Sequence, residues 1–343
     1  MQLPALTTGY VLDDHIQHER IRAALDHTRP PLEAYPPTLW DVFVFVPDDA
    51  SSRQELIDHG VLSWATDPGL SFQFFRPLSA LTHLIDNIIS DTPEWAHLHS
   101  TIWLGLLFVV LLAHYRRIQG SVFLVGLALF IYALDDARSP TAAWIANRNA
   151  LVAAVFGVLA LVAHDRARRE GWRWGHALGP LAYLAALLAG ESGIAALGYL
   201  AAHALVLDRG ALRSRAAALV PYAVVTLAWA ALYSALGYGV RHSGAYVDPF
   251  DDPMRFASAL ATNVPVLVAT QLSGVWADLI VMVDSSWFRW FVLGSCLYLL
   301  LLRTRCERWC CARAKRATGR SARCSRRSRP RARCRPTASR PSS

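Results

Sequence analysis

Lysine is almost absent from this chain, which carries 33 arginines but a single lysine, Lys315. Charged residues of every kind are scarce, at 17% of the 343 residues, whereas 54% are hydrophobic. A disulfide framework is excluded, because five of the six cysteines lie after residue 305 and the sixth, Cys296, lies in an apolar run. Cys310 and Cys311 also lack the paired spacing of a zinc site. The first twelve residues have neither the basic segment nor the apolar core of a signal peptide.

A basic character is also missing once the C-terminal tail is set aside. The formal net charge is +8, but residues 303–343 hold 15 of the 34 lysines and arginines and only one acidic residue, Glu307. The other 302 residues carry 19 basic and 25 acidic residues, a net charge of −6. The high isoelectric point therefore gives no support to a nucleic-acid-binding protein, and we expect no nucleic-acid partner.

The chain does contain several apolar stretches of fifteen or more residues without a charge. A bilayer core of about 30 Å takes roughly 20 residues of helix, whose backbone groups are satisfied internally. We predict an all-α, polytopic membrane protein with about seven transmembrane helices, some of them short. The predicted spans are residues 98–114, 120–134, 148–164, 176–190, 192–207, 217–236 and 286–303.

Arginines mark one side of this arrangement. They follow the first, third, fifth and seventh spans, and the positive-inside rule makes that side cytoplasmic. The acidic loop residues follow the second, fourth and sixth spans. An odd number of spans then places residues 1–97, together with the loop at 237–285, on the periplasmic side. We expect a multi-pass protein of the bacterial inner membrane, in contact with membrane lipids.

We predict three regions along the chain. Residues 1–97 form a periplasmic segment, which we expect to be preceded by a transmembrane helix that this sequence lacks. Residues 98–303 form the transmembrane domain, including the periplasmic loop. Residues 304–343 form a basic, low-complexity tail, which is either a disordered segment on anionic lipid or the product of a shifted reading frame. We favour the shifted frame. So many arginines beside one lysine indicate GC-rich coding DNA, and a shifted reading frame in such DNA yields a composition like that of this tail.

Two segments have a more detailed interpretation. Residues 78–90 predict an amphipathic helix, because apolar residues recur there at helical spacing with polar residues between them. Residues 176–207 would be roughly 48 Å long as one helix, which is too long for one span and too short for two full spans. We expect short paired helices there, next to a water-filled cavity.

The first candidate site is the acidic pair Asp13–Asp14 near the N-terminus. If this stretch is helical, Asp14 and His18 share a face, since they are four residues apart. A carboxylate pair outside the membrane can act as a general base, or it can bind a divalent ion such as Mg or Mn with the help of His18. The alternative is a solvated, acidic helix start without a catalytic role.

A second candidate lies between the second and third spans, where Asp136 and its neighbour Asp135 precede Asn147 and Arg148. These residues form either loop ion pairs or a ligand site. Arg148 opens an apolar span and is expected at the membrane edge, where an arginine is well suited to bind a phosphate through two hydrogen bonds.

Glu191 is the third candidate, between two apolar runs. A carboxylate at membrane depth costs about 2.5–3.5 kcal/mol on insertion scales, so it usually faces a cavity or has a partner. The alternative is a polar turn at the surface. Glu191 also belongs to the four-residue sequence Gly190-Glu191-Ser192-Gly193. This sequence matches the short motif of rhomboid-type serine proteases, with His242 as the possible base.

Taken in order, these motifs resemble those of the GT-C superfamily of membrane glycosyltransferases, near the protein O-mannosyltransferases and related tetratricopeptide-linked proteins. The similar motifs cover about residues 8–250. They are GYVLDD at 9–14, FRPL at 75–78 leading to Asp86, HLHS at 97–100, WIANRN at 144–149 and GES at 190–192.

The resemblance implies transfer of a sugar from a polyprenyl-phosphate carrier to a protein or lipid acceptor on the periplasmic face. It implies that Asp13 or Asp14 is the general base and that Arg148 and Arg76 hold the carrier phosphate. Asp136, Asn147 and Glu191 would complete the substrate site. The sequence departs from relatives at two positions, where Gly190 replaces a lysine and Arg138 a histidine, so an inactive or truncated enzyme is one expectation.

Two other functions stay open on the sequence. One is a non-catalytic membrane scaffold or a partner protein that handles lipid-linked sugars. The other is a rhomboid-like intramembrane serine protease, in which Ser192 would be the nucleophile.

Overall fold

The computed structural model describes residues 6–29, 32–134, 141, 143–243, 246–247 and 252–273, and the single residues 290, 294 and 298. Apart from those single residues, the predicted span at 286–303 and the tail at 304–343 lie outside the described residues. Asp135, Asp136 and Arg138 lie outside them as well. The chain divides into two units, residues 1–257 and 258–343, and the sites described below all belong to the first.

The chain is mostly helical. The described residues contain ten α-helices, which are α1 Asp13–Leu25, α2 Ala50–Asp58, α3 Pro77–Ile89, α4 Pro93–Ile118, α5 Val122–Leu134, α6 Arg148–Glu170, α7 Gly175–Ala189, α8 Ala195–Val206, α9 Leu212–Ala235 and α10 Pro253–Ser273. Two short 3-10 helices, Ile145–Asn147 and Glu191–Ile194, lead directly into α6 and α8.

Among the described residues, three helical stretches are long and apolar enough to cross a membrane. They are Pro93–Ile118, Ile145–Glu170 and Leu212–Ala235. Three shorter apolar stretches, Val122–Leu134, Gly175–Ala189 and Glu191–Val206, fall where the sequence predicted further spans. A helix therefore occupies each of the first six predicted positions, and the total of seven spans stays a prediction.

The break predicted within residues 176–207 falls at Gly190. α7 ends one residue earlier, and the chain turns through a single 3-10 turn before α8 begins. A Cβ atom on Gly193 would lie 2.5 Å from the carbonyl oxygen of Ala186. A side chain at that position would collide with the backbone of α7, so the glycine permits this tight connection.

The prediction of an all-α protein was incomplete, because the chain also contains a small antiparallel sheet. Its strands are β1 Val44–Val46, β2 Ser71–Gln73 and β3 Gly239–Arg241, in the order β1-β2-β3. Phe72 pairs with Val240 in the β2–β3 ladder. Strands of three residues give no periodic signal, and β3 comes from a distant part of the sequence, so the pattern of single segments could not reveal the sheet.

α6 lies at the centre of the helical packing. One buried cluster joins it to α4 through Leu107, Leu111, Leu151 and Val155. A second cluster joins it to α7, α8 and α9 through Ala160, Leu161, Tyr183, Leu187, Ala196, Leu200 and Tyr222. The first cluster holds the first turns of α6 and the second holds its middle, so the helix is fixed from both sides.

Candidate functional site

Asp14 ties the first helix to the 3-10 turn before α6. One carboxylate oxygen accepts a hydrogen bond from the backbone N–H of Ala146 at 2.6 Å, and the other accepts one from the N–H of Val11 at 3.0 Å. The side chain is buried. Burial raises the pKa of Asp14, although both amide hydrogen bonds act in the opposite direction. With both oxygens occupied, Asp14 has the environment of a positioning residue.

Asp13 has a more open environment. Its Oδ1 accepts a hydrogen bond from the indole N–H of Trp144 at 2.8 Å, and the side chain is half-buried. Burial, followed by the negative charge of Asp14, raises the pKa of Asp13 to about 6, while the positive charge of Arg76 opposes this rise. A carboxylate with a pKa in this range is suited to accept a proton near neutral pH.

Arg148 is fully enclosed by protein. Its Nε donates to the hydroxyl of Ser100 at 2.9 Å, one terminal nitrogen donates to the carbonyl of Ala96 at 2.7 Å, and the other forms an ion pair with Asp86. The side chain has no exposed surface. The sequence predicted Arg148 at the membrane edge, free to hold a phosphate, and this burial does not fit that expectation.

The partner of Arg148 is itself held in place by a histidine. Burial pushes the pKa of Asp86 up, but a hydrogen bond from His99 and the charge of Arg148 outweigh it and hold the pKa below its usual value. Nε2 of His99 accepts from the indole N–H of Trp103 at 3.0 Å, so Nδ1 carries the proton and donates to Asp86 at 2.6 Å.

A cavity of about 470 Å³, with both polar and apolar side chains in its wall, opens beside the start of α6. Arg76 donates from Nε to Glu191 at 2.8 Å, and its guanidinium lies 3.9 Å from the centre of the Phe74 ring. The other oxygen of Glu191 accepts from the hydroxyl of Tyr233 at 3.1 Å. The remaining lining side chains include Asn147, Asn149, Ser192, Val240 and Tyr246.

The terminal nitrogens of Arg76 have no hydrogen bond to any residue in the part of the chain that the structure describes. They remain able to bind an anionic group in the cavity, since only Nε is used by Glu191. Glu191 itself lines the cavity. Of the two interpretations that the sequence left open, this position fits the carboxylate that faces a cavity and not the polar turn at the surface.

An apolar groove of about 390 Å³ adjoins this cavity. Ala150 and Ser192 line both spaces, so the two are neighbours that share these wall residues. The groove runs between α4, α5, α6 and α8. Its walls are mainly small or aliphatic residues, including Leu107, Leu111, Ala153, Ala154, Gly157, Val158 and Leu161.

A third, much smaller space lies between α1 and α3. It has room for about one water molecule, at about 10 Å³. Around it, both side-chain polar atoms of Gln17, Nε2 of His83 and Oδ1 of Asn87 are buried, and no described residue forms a hydrogen bond with them. Burial lowers the pKa of His83 to about 3, so its ring is neutral.

The predicted divalent ion does not fit the side chains at this end of α1. Both oxygens of Asp14 accept backbone amides, and the ring of His18 stacks on Tyr10 with centroids 4.6 Å apart. In the described ranges, no group of three or more His, Cys, Asp or Glu side chains could hold a metal ion.

The predicted protease pair is also separated. The ring of His242 lies 3.7 Å from a carboxylate oxygen of Asp67, and within the described residues it makes no hydrogen bond to Ser192. Ser192 lines the cavity, and no histidine is among the described residues that line it.

The structure thus brings most of the predicted residues to the start of α6. Arg76, Asn147 and Glu191 line one cavity, while Asp13, Asp14 and Arg148 contact the turn or the helix beside it. Asp136 lies outside the described residues. Sequence reasoning missed Trp144 and Tyr233, because a tryptophan near a span end is typical of an aromatic belt and a tyrosine within an apolar helix carries no distinguishing signal.

No protein-family model, curated protein or solved structure matches this chain.

Proposed function

We propose that this chain is a GT-C-like glycosyltransferase that moves a sugar from a polyprenyl-phosphate carrier to a protein or lipid acceptor. The observation that carries the proposal is that the cavity lined by Arg76 and Glu191 and the apolar groove share the wall residues Ala150 and Ser192. A lipid-linked sugar needs such a pair of spaces, because its phosphate and sugar are polar and its prenyl chain is apolar.

In this proposal the groove holds the part of the prenyl chain next to the phosphate, and the terminal nitrogens of Arg76 bind the phosphate. Arginine suits this role, since its planar guanidinium donates two parallel hydrogen bonds to a phosphate. Glu191 and the Phe74 ring fix the guanidinium from two sides, so that its terminal nitrogens are directed before the ligand binds. The resemblance had assigned this role mainly to Arg148, and the buried pair with Asp86 supports a positioning role for Arg148 instead.

Asp13 acts as the general base. The acceptor hydroxyl oxygen attacks the anomeric carbon of the sugar, and its proton passes to the carboxylate of Asp13. The bond between the anomeric carbon and the phosphate oxygen breaks, and the polyprenyl phosphate leaves with the electron pair. General base catalysis of this kind contributes roughly 10²–10⁴-fold to a rate. Because both oxygens of Asp14 already accept amide hydrogen bonds, Asp13 takes the proton without the help of a metal ion in this proposal.

The proposed setting is the bacterial inner membrane, with seven spans and the cavity open to the periplasm. Asp13, Arg76 and Glu191 all precede or follow spans on the side opposite the arginine-rich loops. A donor that is anchored in lipid and an acceptor outside the cell would meet on that side.

A non-catalytic protein that binds lipid-linked sugars is the second candidate, because the cavity and groove would serve binding equally well. The Asp13 carboxylate, with its pKa near 6, favours the enzyme, since a binding protein has no need of a base. The protease is not favoured, because Ser192 and His242 are not paired.

The test compares Asp13→Asn with Asp58→Asn, a matched change at an exposed carboxylate in α2. Each full-length variant is reconstituted in vesicles with radiolabelled polyprenyl-phosphate mannose or glucose, and release of polyprenyl phosphate is measured. We expect Asp13→Asn to lose roughly 10²–10⁴-fold in rate while carrier binding is kept, and Asp58→Asn to match the wild type. Full activity of Asp13→Asn would refute the base, and carrier binding without turnover in the wild type would favour the binding protein.

A further inference from the structure

α3 is amphipathic with the opposite polarity to that of a helix in a water-soluble protein. Its inward face carries polar residues, all of them buried, namely Ser79, Thr82, His83, Asp86 and Asn87. Its outward face carries Ile85, Ile88 and Ile89, of which Ile88 is 65% exposed. In water the isoleucines would pack inward and the polar side chains would face solvent.

The inward polar contacts fix this orientation. Ser79 donates from its hydroxyl to the carbonyl of Ala189 in α7 at 2.7 Å, and Asp86 is paired with both Arg148 and His99. A rotation of α3 that buried the isoleucines would break these contacts and leave Arg148 as a buried charge without a partner. The apolar face is therefore held outward.

The outward face of α3 continues onto α4. The 2.6 Å hydrogen bond between Asp86 and His99 places the last turns of α3 beside the first turns of α4. On α4, Leu98 and Ile102 flank His99 in sequence and are also exposed. α4 is one of the three helices long and apolar enough to cross a membrane, so the apolar surface of α3 adjoins that of a candidate span.

We propose that the outward face of α3 is immersed in the acyl chains of the membrane, with α3 lying at the edge of the bilayer as an interfacial helix. With 13 residues, α3 is too short to cross a bilayer core of about 30 Å. An interfacial helix of this kind lies along the membrane with its apolar residues below the headgroups. Lipid fits this surface better than a protein partner, because Ile85, Ile88 and Ile89 present no polar group for recognition and their surface continues along a candidate span.

The test measures the surroundings of single spin labels on the full-length chain in phosphatidylcholine–phosphatidylglycerol vesicles, with the native cysteines replaced by serine. Labels are attached in Ile88→Cys, in Ile102→Cys as the reference on α4, and in Gln54→Cys as the matched reference on an exposed polar position of α2. Collision rates with lipid-soluble oxygen and with a water-soluble nickel chelate are compared. Ile85→Cys and Ile89→Cys provide the same reading if Ile88→Cys does not fold.

We expect the ratio of oxygen to nickel collisions at position 88 to resemble that at 102 and to exceed that at 54 severalfold. A ratio at 88 equal to that at 54 would overturn the proposal, because the face would then lie in water. Protection of position 88 from both reagents would also overturn it, since the face would then be covered by protein, such as a second copy of the chain.

Discussion

The two ends of α6 both bury a charged residue, but they compensate it in different ways. At the start, Arg148 has no exposed surface, and within the described residues the buried Asp86 is its one ion-pair partner. The other acceptors of its hydrogen bonds are neutral, including the carbonyl of Ala96 and the hydroxyl of Ser100. The pair with Asp86 therefore carries most of the electrostatic compensation at this end, and the negative charge of Asp14 adds to it.

At the far end the buried charge is the carboxylate of Asp165, which is only 1% exposed. It accepts hydrogen bonds from Arg117 at 2.7 Å and from Arg169 at 3.2 Å, and its Oδ1 lies 2.9 Å from Nε2 of His203. The side chain of Arg169 is 44% exposed, so this partner is also stabilised by water. Compensation at this end is shared among several groups.

The difference indicates which end can carry a function. At the far end the arginines are engaged with several acidic partners, and the network reads as a structural clamp between α4, α6 and α8. At the start, the buried pair of Arg148 and Asp86 fixes the packing, while Asp13 and the terminal nitrogens of Arg76 remain available for a ligand beside it. The start of α6 is therefore a rigid part of the structure, and the side chains next to it are still able to bind a ligand.

The largest expected effect comes from breaking the single pair. Asp86→Ala leaves Arg148 buried without a carboxylate, and we expect a loss of about 3–5 kcal/mol in the free energy of unfolding. The measurement is denaturant unfolding of the purified chain in detergent micelles. A double variant, Asp86→Leu with Arg148→Met, removes both charges and should recover most of the loss. If the single and double variants lose the same stability, the two residues do not act as a pair.

The helices could be predicted from the sequence because each depends on its own residues. The apolar runs located six helices with ends within about six residues of the observed ones, and Glu191, between two apolar runs, marked the break between α7 and α8. The sheet could not be predicted, since its three-residue strands depend on pairing between distant segments. The polarity of α3 was also beyond the sequence pattern, because periodicity predicts an apolar face but does not say whether that face meets protein or lipid.

The sequence predicted which residues belong to the candidate site better than it predicted what each of them does. Motif order pointed to Asp13, Asp14, Arg76 and Glu191. Arg76 and Glu191 line the cavity, and Asp13 and Asp14 accept hydrogen bonds from the segment before α6. The role of Arg148 depends on Asp86, which lies on another helix. No pattern within a single segment shows that such a pair is buried. From the sequence, an arginine at the start of a span could therefore be interpreted equally well as a phosphate ligand or as part of a buried ion pair.

A second prediction concerns Asp13, beside the start of α6. It tests whether the negative charge of this carboxylate is poorly compensated by its surroundings. The pKa of Asp13 is raised from 3.8 to about 6 in the folded state. Its contribution to stability is therefore complete below about pH 4 and is lost as the pH rises through about 6. Relative to Asp13→Asn, the wild type should lose roughly 1–2 kcal/mol between pH 4 and pH 7, after allowance for solvent screening of a partly exposed group.

This second measurement follows the unfolding free energy of both proteins across that pH range. The difference between the two isolates Asp13, because Asp14 and Arg76 are present in both. Parallel pH profiles would mean that the carboxylate of Asp13 is as well compensated as an exposed one, and the contrast with the far end of α6 would then disappear.

The smallest effect is expected at the far end. In Arg169→Met the methionine keeps much of the aliphatic stem, and Asp165 keeps its contacts with Arg117 and His203. We expect a loss of about 0–1 kcal/mol in unfolding free energy, in the range of exposed ion pairs. Shared compensation also predicts that Arg117→Met combined with Arg169→Met costs more than the sum of the two single changes, because each arginine covers the loss of the other. Strict additivity, or a loss at Arg169 as large as that in Asp86→Ala, would show that the far end depends on single contacts just as the start does.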